Sequence, residues 1–195
     1  MKNRIKQIVS IVFVAVIAAG CASAPSRFYT LNSTAKSDGS PAVNYRIIVG
    51  PVSVPAEFDQ PQFTVQVAPN QIAVDEFNRW AAPLNENIAR VVAEDLTMLL
   101  GTAQVSTLPL ANFESAYRVS IEVQRFESVP GKSATVETVW VVRKTDGRVS
   151  QSGHTLATEP VSGDGFDKLA AAHSRALAKV SGDIAAAIRA EADQH

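Results

Sequence analysis

Cysteine occurs once in the 195 residues, at position 21. An exported chain could use disulfides, but one cysteine cannot make one within the chain, so the fold has to be held by its core. Histidine is nearly as scarce. His154, His173 and His195 lie too far apart in sequence for the helical or short-loop spacing of a metal site. The chain also lacks a G-x-S-x-G elbow, a P-loop, an H-E-x-x-H pair and a dinucleotide fingerprint, which are the common local signatures of hydrolases, nucleotide-binding proteins and metalloproteases. No enzyme, metal or diffusible cofactor is therefore expected. Long apolar runs are missing except at the start, where Ile8 to Ala19 carry no charge. As a helix that run spans roughly 18 Å, short of the roughly 30 Å hydrocarbon core of a bilayer.

The run has the flanks of an export signal. Lys2, Arg4 and Lys6 precede it, and Ala18, Ala19 and Gly20 lead to Cys21. The pattern is that of a lipobox, with Ala18 where leucine is usual. Residues 1–20 are then a lipoprotein signal peptide, and Cys21 is the first mature residue and the lipid attachment site, its covalent lipid replacing any cofactor. Removing residues 1–20 takes three of the 18 basic residues and none of the 19 acidic ones, leaving a formal charge of −4. A mildly acidic chain with scattered Lys and Arg has neither the footprint of a nucleic-acid binder nor a polybasic lipid patch.

Residues 21–27 form a short tether, and residues 28–195 have the length of one well-buried domain. Phe28-Tyr29-Thr30-Leu31 reads as a first strand, followed by an aperiodic loop over 32–43. Arg46 to Val54 is a nearly continuous apolar strand in which Pro51 predicts a bulge or break. Phe63, Val65 and Val67 alternate with polar residues, Pro69-Asn70 suits a tight turn, and the alternation resumes at Ile72 and Val74: a hairpin. A short strand is expected over Gln104–Leu108, a half-buried one over Tyr117–Gln124, and a hairpin about Asp146-Gly147 joins strands at 134–144 and 148–158.

Two helices are predicted. Pro83 opens the first, with Leu84, Ile88, Val92, Leu96 and Leu99 on one face, Glu86 four residues before Arg90, and Gly101 as C-cap. The second runs from about Asp164 to Glu191 on the stripe Phe166, Leu169, His173, Leu177, Val180, Ile184 and Ile188, with Gly182 weakening its middle. The order predicts an α+β fold, a mainly antiparallel sheet with two amphipathic helices packed on one face. His173, on the apolar stripe, reads as a core histidine. Glu94-Asp95 reads as a solvated helix face.

Asn78-Arg79-Trp80-Ala81-Ala82-Pro83-Leu84 places a large aromatic between hairpin and helix. Trp80 there is a plug that sets the angle of helix to sheet, and Arg79 is free to meet a partner.

These residues carry a resemblance. Cys21 followed closely by Phe28-Tyr29-Thr30-Leu31, then Val52-Ser53-Val54-Pro55 leading to Asp59-Gln60-Pro61-Gln62, then Arg79-Trp80-Ala81-Ala82-Pro83-Leu84 opening a helix, resembles the PqiC family of auxiliary lipoproteins in MCE-type and ABC-type lipid transport systems. The likeness extends over nearly the whole mature chain. It implies a noncatalytic lipoprotein on the inner leaflet of the outer membrane, facing the periplasm and meeting a periplasm-spanning MCE-family protein while phospholipid moves between membranes. Arg79 and Trp80 would lie near that contact. Ala22 after the cysteine suits outer-membrane sorting. A homo-oligomer is compatible with this picture. Two other readings stay open: a carrier holding lipid or a small ligand between sheet and helices, and a structural lipoprotein supporting outer-membrane protein assembly.

Overall fold

The computed structural model describes residues 24–108 and 116–192. Cys21, the signal segment and His195 lie outside the described residues. Ten elements follow in order: β1 Arg27–Tyr29, β2 Ile47–Ser53, β3 Gln62–Ala68, β4 Gln71–Trp80, α1 Leu84–Leu100, β5 Val105–Ser106, β6 Tyr117–Val129, β7 Ser133–Lys144, β8 Val149–Pro160 and α2 Phe166–Ala192.

The α+β class is as expected, but the strands divide between two mixed sheets. One has the order β1-β4-β3, the other β5-β2-β6-β7-β8. The hairpins β3-β4, β6-β7 and β7-β8 are antiparallel, whereas β1 pairs with β4, and β2 with both β5 and β6, in parallel. Alternation within a strand records which face is wet and says nothing about the direction of the neighbour, so the parallel pairs were not readable from periodicity.

In the larger sheet Tyr117, Val119, Ile121 and Val123 of β6 and Ala134, Val136, Trp140 and Val142 of β7 are buried, with Arg118, Glu122 and Arg143 on the wet face. Both helices cover the buried face: α2 lies on β7 and β8, α1 on β2 and β5, and the helices touch each other. The layer between them is filled by Trp140, Leu177, Val180, Ile184 and Ile188. That is the space in which a carrier would hold cargo. Trp140 also lies over Gly153, its register partner on β8, so closely that a Cβ there would meet the indole at 2.2 Å.

Local signals set the ends of elements. Gly101 has φ +64 and caps α1 in the left-handed region; a Cβ there would also press on Ala42 at 3.2 Å. Arg189 of α2 donates to the carbonyls of Leu99 at 2.7 Å and Pro41 at 2.6 Å, so a cation closes the C-terminal end of α1. Pro83 sits at the N-cap, one residue ahead of the first helical position. The register between β2 and β6 shifts between Val49 and Val52, across Pro51. Arg90 pairs with Glu94 at 2.9 Å rather than with Glu86, because its guanidinium is drawn to the Leu31 carbonyl at 2.6 Å.

The pair Glu94-Asp95 is not a solvated face. Glu94 is exposed, but Asp95 is buried at the junction of α1, α2 and the loop after β1. Its Oδ1 accepts from the Ser33 hydroxyl at 2.6 Å and from the Thr34 and Ala35 amides, and its Oδ2 accepts from Ser181 at 3.0 Å. Burial pushes its pKa up, and these hydrogen bonds pull it back.

Candidate functional site

The quoted segments, scattered from residue 28 to residue 84, are stitched together by backbone hydrogen bonds. The Trp80 amide donates to the Pro61 carbonyl at 2.7 Å, and the Ala81 amide donates to the Tyr29 carbonyl at 2.8 Å. The register pairs Phe28 with Arg79 and Gln62 with Arg79. Upstream, the amides of Phe58 and Asp59 donate to the Pro55 carbonyl and turn the chain from β2 toward β3. The blocks are thus one structural unit at the base of the small sheet.

Trp80 is the plug of that unit. It is 5% exposed, stacks on Phe63 with centroids 4.2 Å apart, and meets Phe126 edge-on at 6.0 Å. Tyr29 and Phe166 complete the cluster around Phe63. Such aromatic pairs add about 0.5–1.5 kcal/mol each beyond the area they bury. Arg79, the preceding residue on β4, points to the opposite face by strand alternation. Its Nε donates to the Glu76 carbonyl at 3.0 Å and its guanidinium stands 3.9 Å from the Glu76 carboxylate. The two neighbours in sequence therefore do not form one patch.

Beside Trp80 the surface opens into a cleft of about 340 Å³, walled by Asp59 to Pro61 on one side and by Trp80 to Leu84 on the other. Pro61, Trp80, Ala81, Ala82, Pro83 and Leu84 give it a mainly apolar lining. Gln60 is turned inward, its amide donating to the Glu57 carbonyl and the Thr64 hydroxyl. With alanines at 81 and 82 exposed, the cleft has room for an apolar side chain of moderate size. The sequence singles out the run Asn78 to Leu84 but not the cleft itself, because two alanines and two prolines give no periodic signal.

The two described histidines, His154 and His173, do not gather. His173 is in the core, stacked on Phe126 at 3.8 Å, its Nε2 2.7 Å from the Ser128 hydroxyl and its Nδ1 without a hydrogen bond. Burial lowers its pKa to about 3, so the ring is neutral. An N–H at Nε2 donating to Ser128 leaves only the Nδ1 lone pair unmet, the cheaper of the two orphans. His154 lies on the wet face of β8, 2.8 Å from Glu137. Among the described residues no group of His, Cys, Asp or Glu could hold a metal, and no helix is long and apolar enough to cross a membrane.

Known proteins of this shape exist. A Xanthomonas campestris protein of the DUF330 family superposes with a TM-score of 0.73 at 23% identity, over 87% of this chain and 98% of that one. A second crystal structure, of an uncharacterized protein, matches with a TM-score of 0.71 at 19% identity over 85% and 99% of the two chains. At these identities the likeness is one of fold. No curated protein is significantly similar in sequence. Residues 29–185 match the family described as the ABC-type transport auxiliary lipoprotein component, a span that contains the hydrogen-bonded unit from Tyr29 to Leu84, and the chain belongs to that family.

Proposed function

We propose that this protein is an outer-membrane lipoprotein, acylated at Cys21 and facing the periplasm, that acts without catalysis as an accessory subunit of an intermembrane phospholipid transport system. Its partner is an MCE-type protein spanning the periplasm. The observation that carries the reading is the open, largely apolar cleft between two of the family-like segments, Asp59 to Pro61 and Trp80 to Leu84: side chains that serve only the fold have no need to leave such a space beside the aromatic cluster. An apolar anchor from the partner fits it, against Trp80, Pro61 and Pro83, with Asp59 also in the lining. Aromatic and apolar anchors seated in small pockets dominate binding energy at protein interfaces. Arg79 stands on the neighbouring face as a polar contact.

The carrier alternative loses ground because the layer between sheet and helices is packed. The test is recovery of the partner from crosslinked envelopes at native expression. Wild-type protein should bring down an MCE-family protein, and Ala82→Trp, which fills the cleft from an exposed position, should not, while keeping the wild-type melting temperature. No MCE protein with the wild type would end the transport assignment. Equal recovery with Ala82→Trp would move the contact away from the cleft.

A further inference from the structure

The hairpin β3-β4 is unlike the rest of the surface. Gln60 to Val74 is fifteen residues without one charged side chain, in a chain that is 19% charged. Of nine large hydrophobic residues exposed among those described, five are on the three strands of the small sheet: Phe28, Val67, Ile72, Val74 and Phe77. The register pairs Thr64 with Val74 and Gln66 with Ile72, so Val74 and Ile72 share one side of the hairpin, and Val67 falls at the register shift between Gln66 and Ala68, close to its tip.

The tether leads toward the same place. β1 runs parallel to β4 with Arg27 opposite Asn78, so β1, followed back toward its start, points to the hairpin tip. Cys21 is six residues before Arg27, and Ile72 is six residues before Asn78. An extended tether of six residues reaches roughly 20 Å, enough to bring Cys21 level with Ile72.

We propose that the tip of the β3-β4 hairpin, about Val67 and Ile72, enters the interfacial layer of the same membrane leaflet that holds the lipid on Cys21. This rests on the acylation of Cys21 in the function proposed above. β3 is an edge strand, and its unpaired backbone groups must stay hydrated, which limits entry to the headgroup and upper acyl region. The hairpin thereby becomes a second attachment beside the acyl chains and fixes the orientation of the domain on the bilayer. The cleft at Trp80, at the far end of β4, is then held away from the membrane and toward a periplasmic partner.

In the mature chain Cys21 carries lipid, so an introduced cysteine is the only thiol to label. Val67→Cys, Ile72→Cys and, on the wet face of β8, Leu156→Cys would each be labelled with an environment-sensitive fluorophore. The full mature proteins would be reconstituted in phosphatidylethanolamine and phosphatidylglycerol vesicles containing a trace of lipid spin-labelled high on its acyl chain. Emission at 67 and at 72 should shift to the blue and be quenched several-fold more than at 156. Should either label lower the melting temperature, Val74→Cys replaces it. Equal quenching at all three sites overturns the proposal, and a blue shift at 67 and 72 without quenching overturns it in favour of a second protein chain. The mass of the mature chain reports acylation separately. If Cys21 is unmodified the anchor reading fails, and the same comparison in a Cys21→Ser background, where the introduced cysteine is again the only thiol, with vesicles added to the chain still decides whether the hairpin enters lipid.

Discussion

The two sheets of this protein solve opposite problems. The five-stranded sheet has one face sealed by α1 and α2 and the other studded with Arg118, Glu122, Arg125, Glu137 and Arg143, an arrangement that satisfies a domain by itself. The three-stranded sheet is sealed only at its base, where Phe63 and Trp80 join the core, and becomes apolar and uncharged toward its tip. One region stabilises and the other is left unfinished. Exposed apolar groups concentrated on so small an element mark a surface that awaits something else.

The largest effects should come from the seam between them. Trp80→Ala removes the stacked partner of Phe63 and should cost about 3–5 kcal/mol, read as a fall in the circular-dichroism melting temperature. A smaller loss would mean that the small sheet is not anchored through its tryptophan. In the body, Leu177→Ala empties a fully buried position on α2 and should cost about 2–5 kcal/mol. An unchanged melting temperature there would show that the packed layer is not what holds α2.

The body should also respond to pH. His173 has a pKa of about 3 in the fold against about 6.5 when unfolded, so the unfolded chain binds the extra proton between those values. Stability then falls as pH is lowered below about 6.5, by up to about 1.4 kcal/mol per pH unit, and the loss levels off near pH 3. Asp95 works the other way, since its raised pKa makes the folded chain bind a proton first and gain stability on acidification. His173→Phe, which keeps the stack on Phe126, should therefore flatten the acid limb of the melting curve, and an unchanged limb would locate the acid sensitivity in another group.

How much of this was legible depended on how local the signal was. Gly101, Asp146-Gly147 and the alternation of Tyr117 to Val123 are decided by near neighbours, and each falls where the sequence places it. The split into two sheets depends on β1 meeting β4 across some fifty residues, which no window of sequence contains. Asp95 was misread for the same reason. Beside Glu94 it resembles a wet helix face, and only the arrival of Ser33 and Ser181 from distant segments makes it a buried acceptor. The cleft escaped periodicity because alanine and proline are its walls, whereas Trp80 could be read as a plug from size and position alone.

The smallest stability change should be at Arg79, where the two regions are most sharply separated. Its side chain is 35% exposed and its ion pair with Glu76, at 3.9 Å and more exposed still, is of the kind that contributes roughly 0–1 kcal/mol. Arg79→Ala should therefore melt within about 0.5 kcal/mol of wild type, in contrast to its neighbour Trp80. Binding is where the two readings of Arg79 part. If it contacts the partner beside the cleft, the folded variant should recover less MCE protein from crosslinked envelopes than wild type does, and the deficit should remain in Arg79→Lys, because an ammonium does not reproduce the planar, forked donors of a guanidinium. If recovery is normal in a folded Arg79→Ala, the contact is made by the cleft alone. Arg79 then stands beside Phe28 on β1 as a surface residue of the small sheet with no part in the contact.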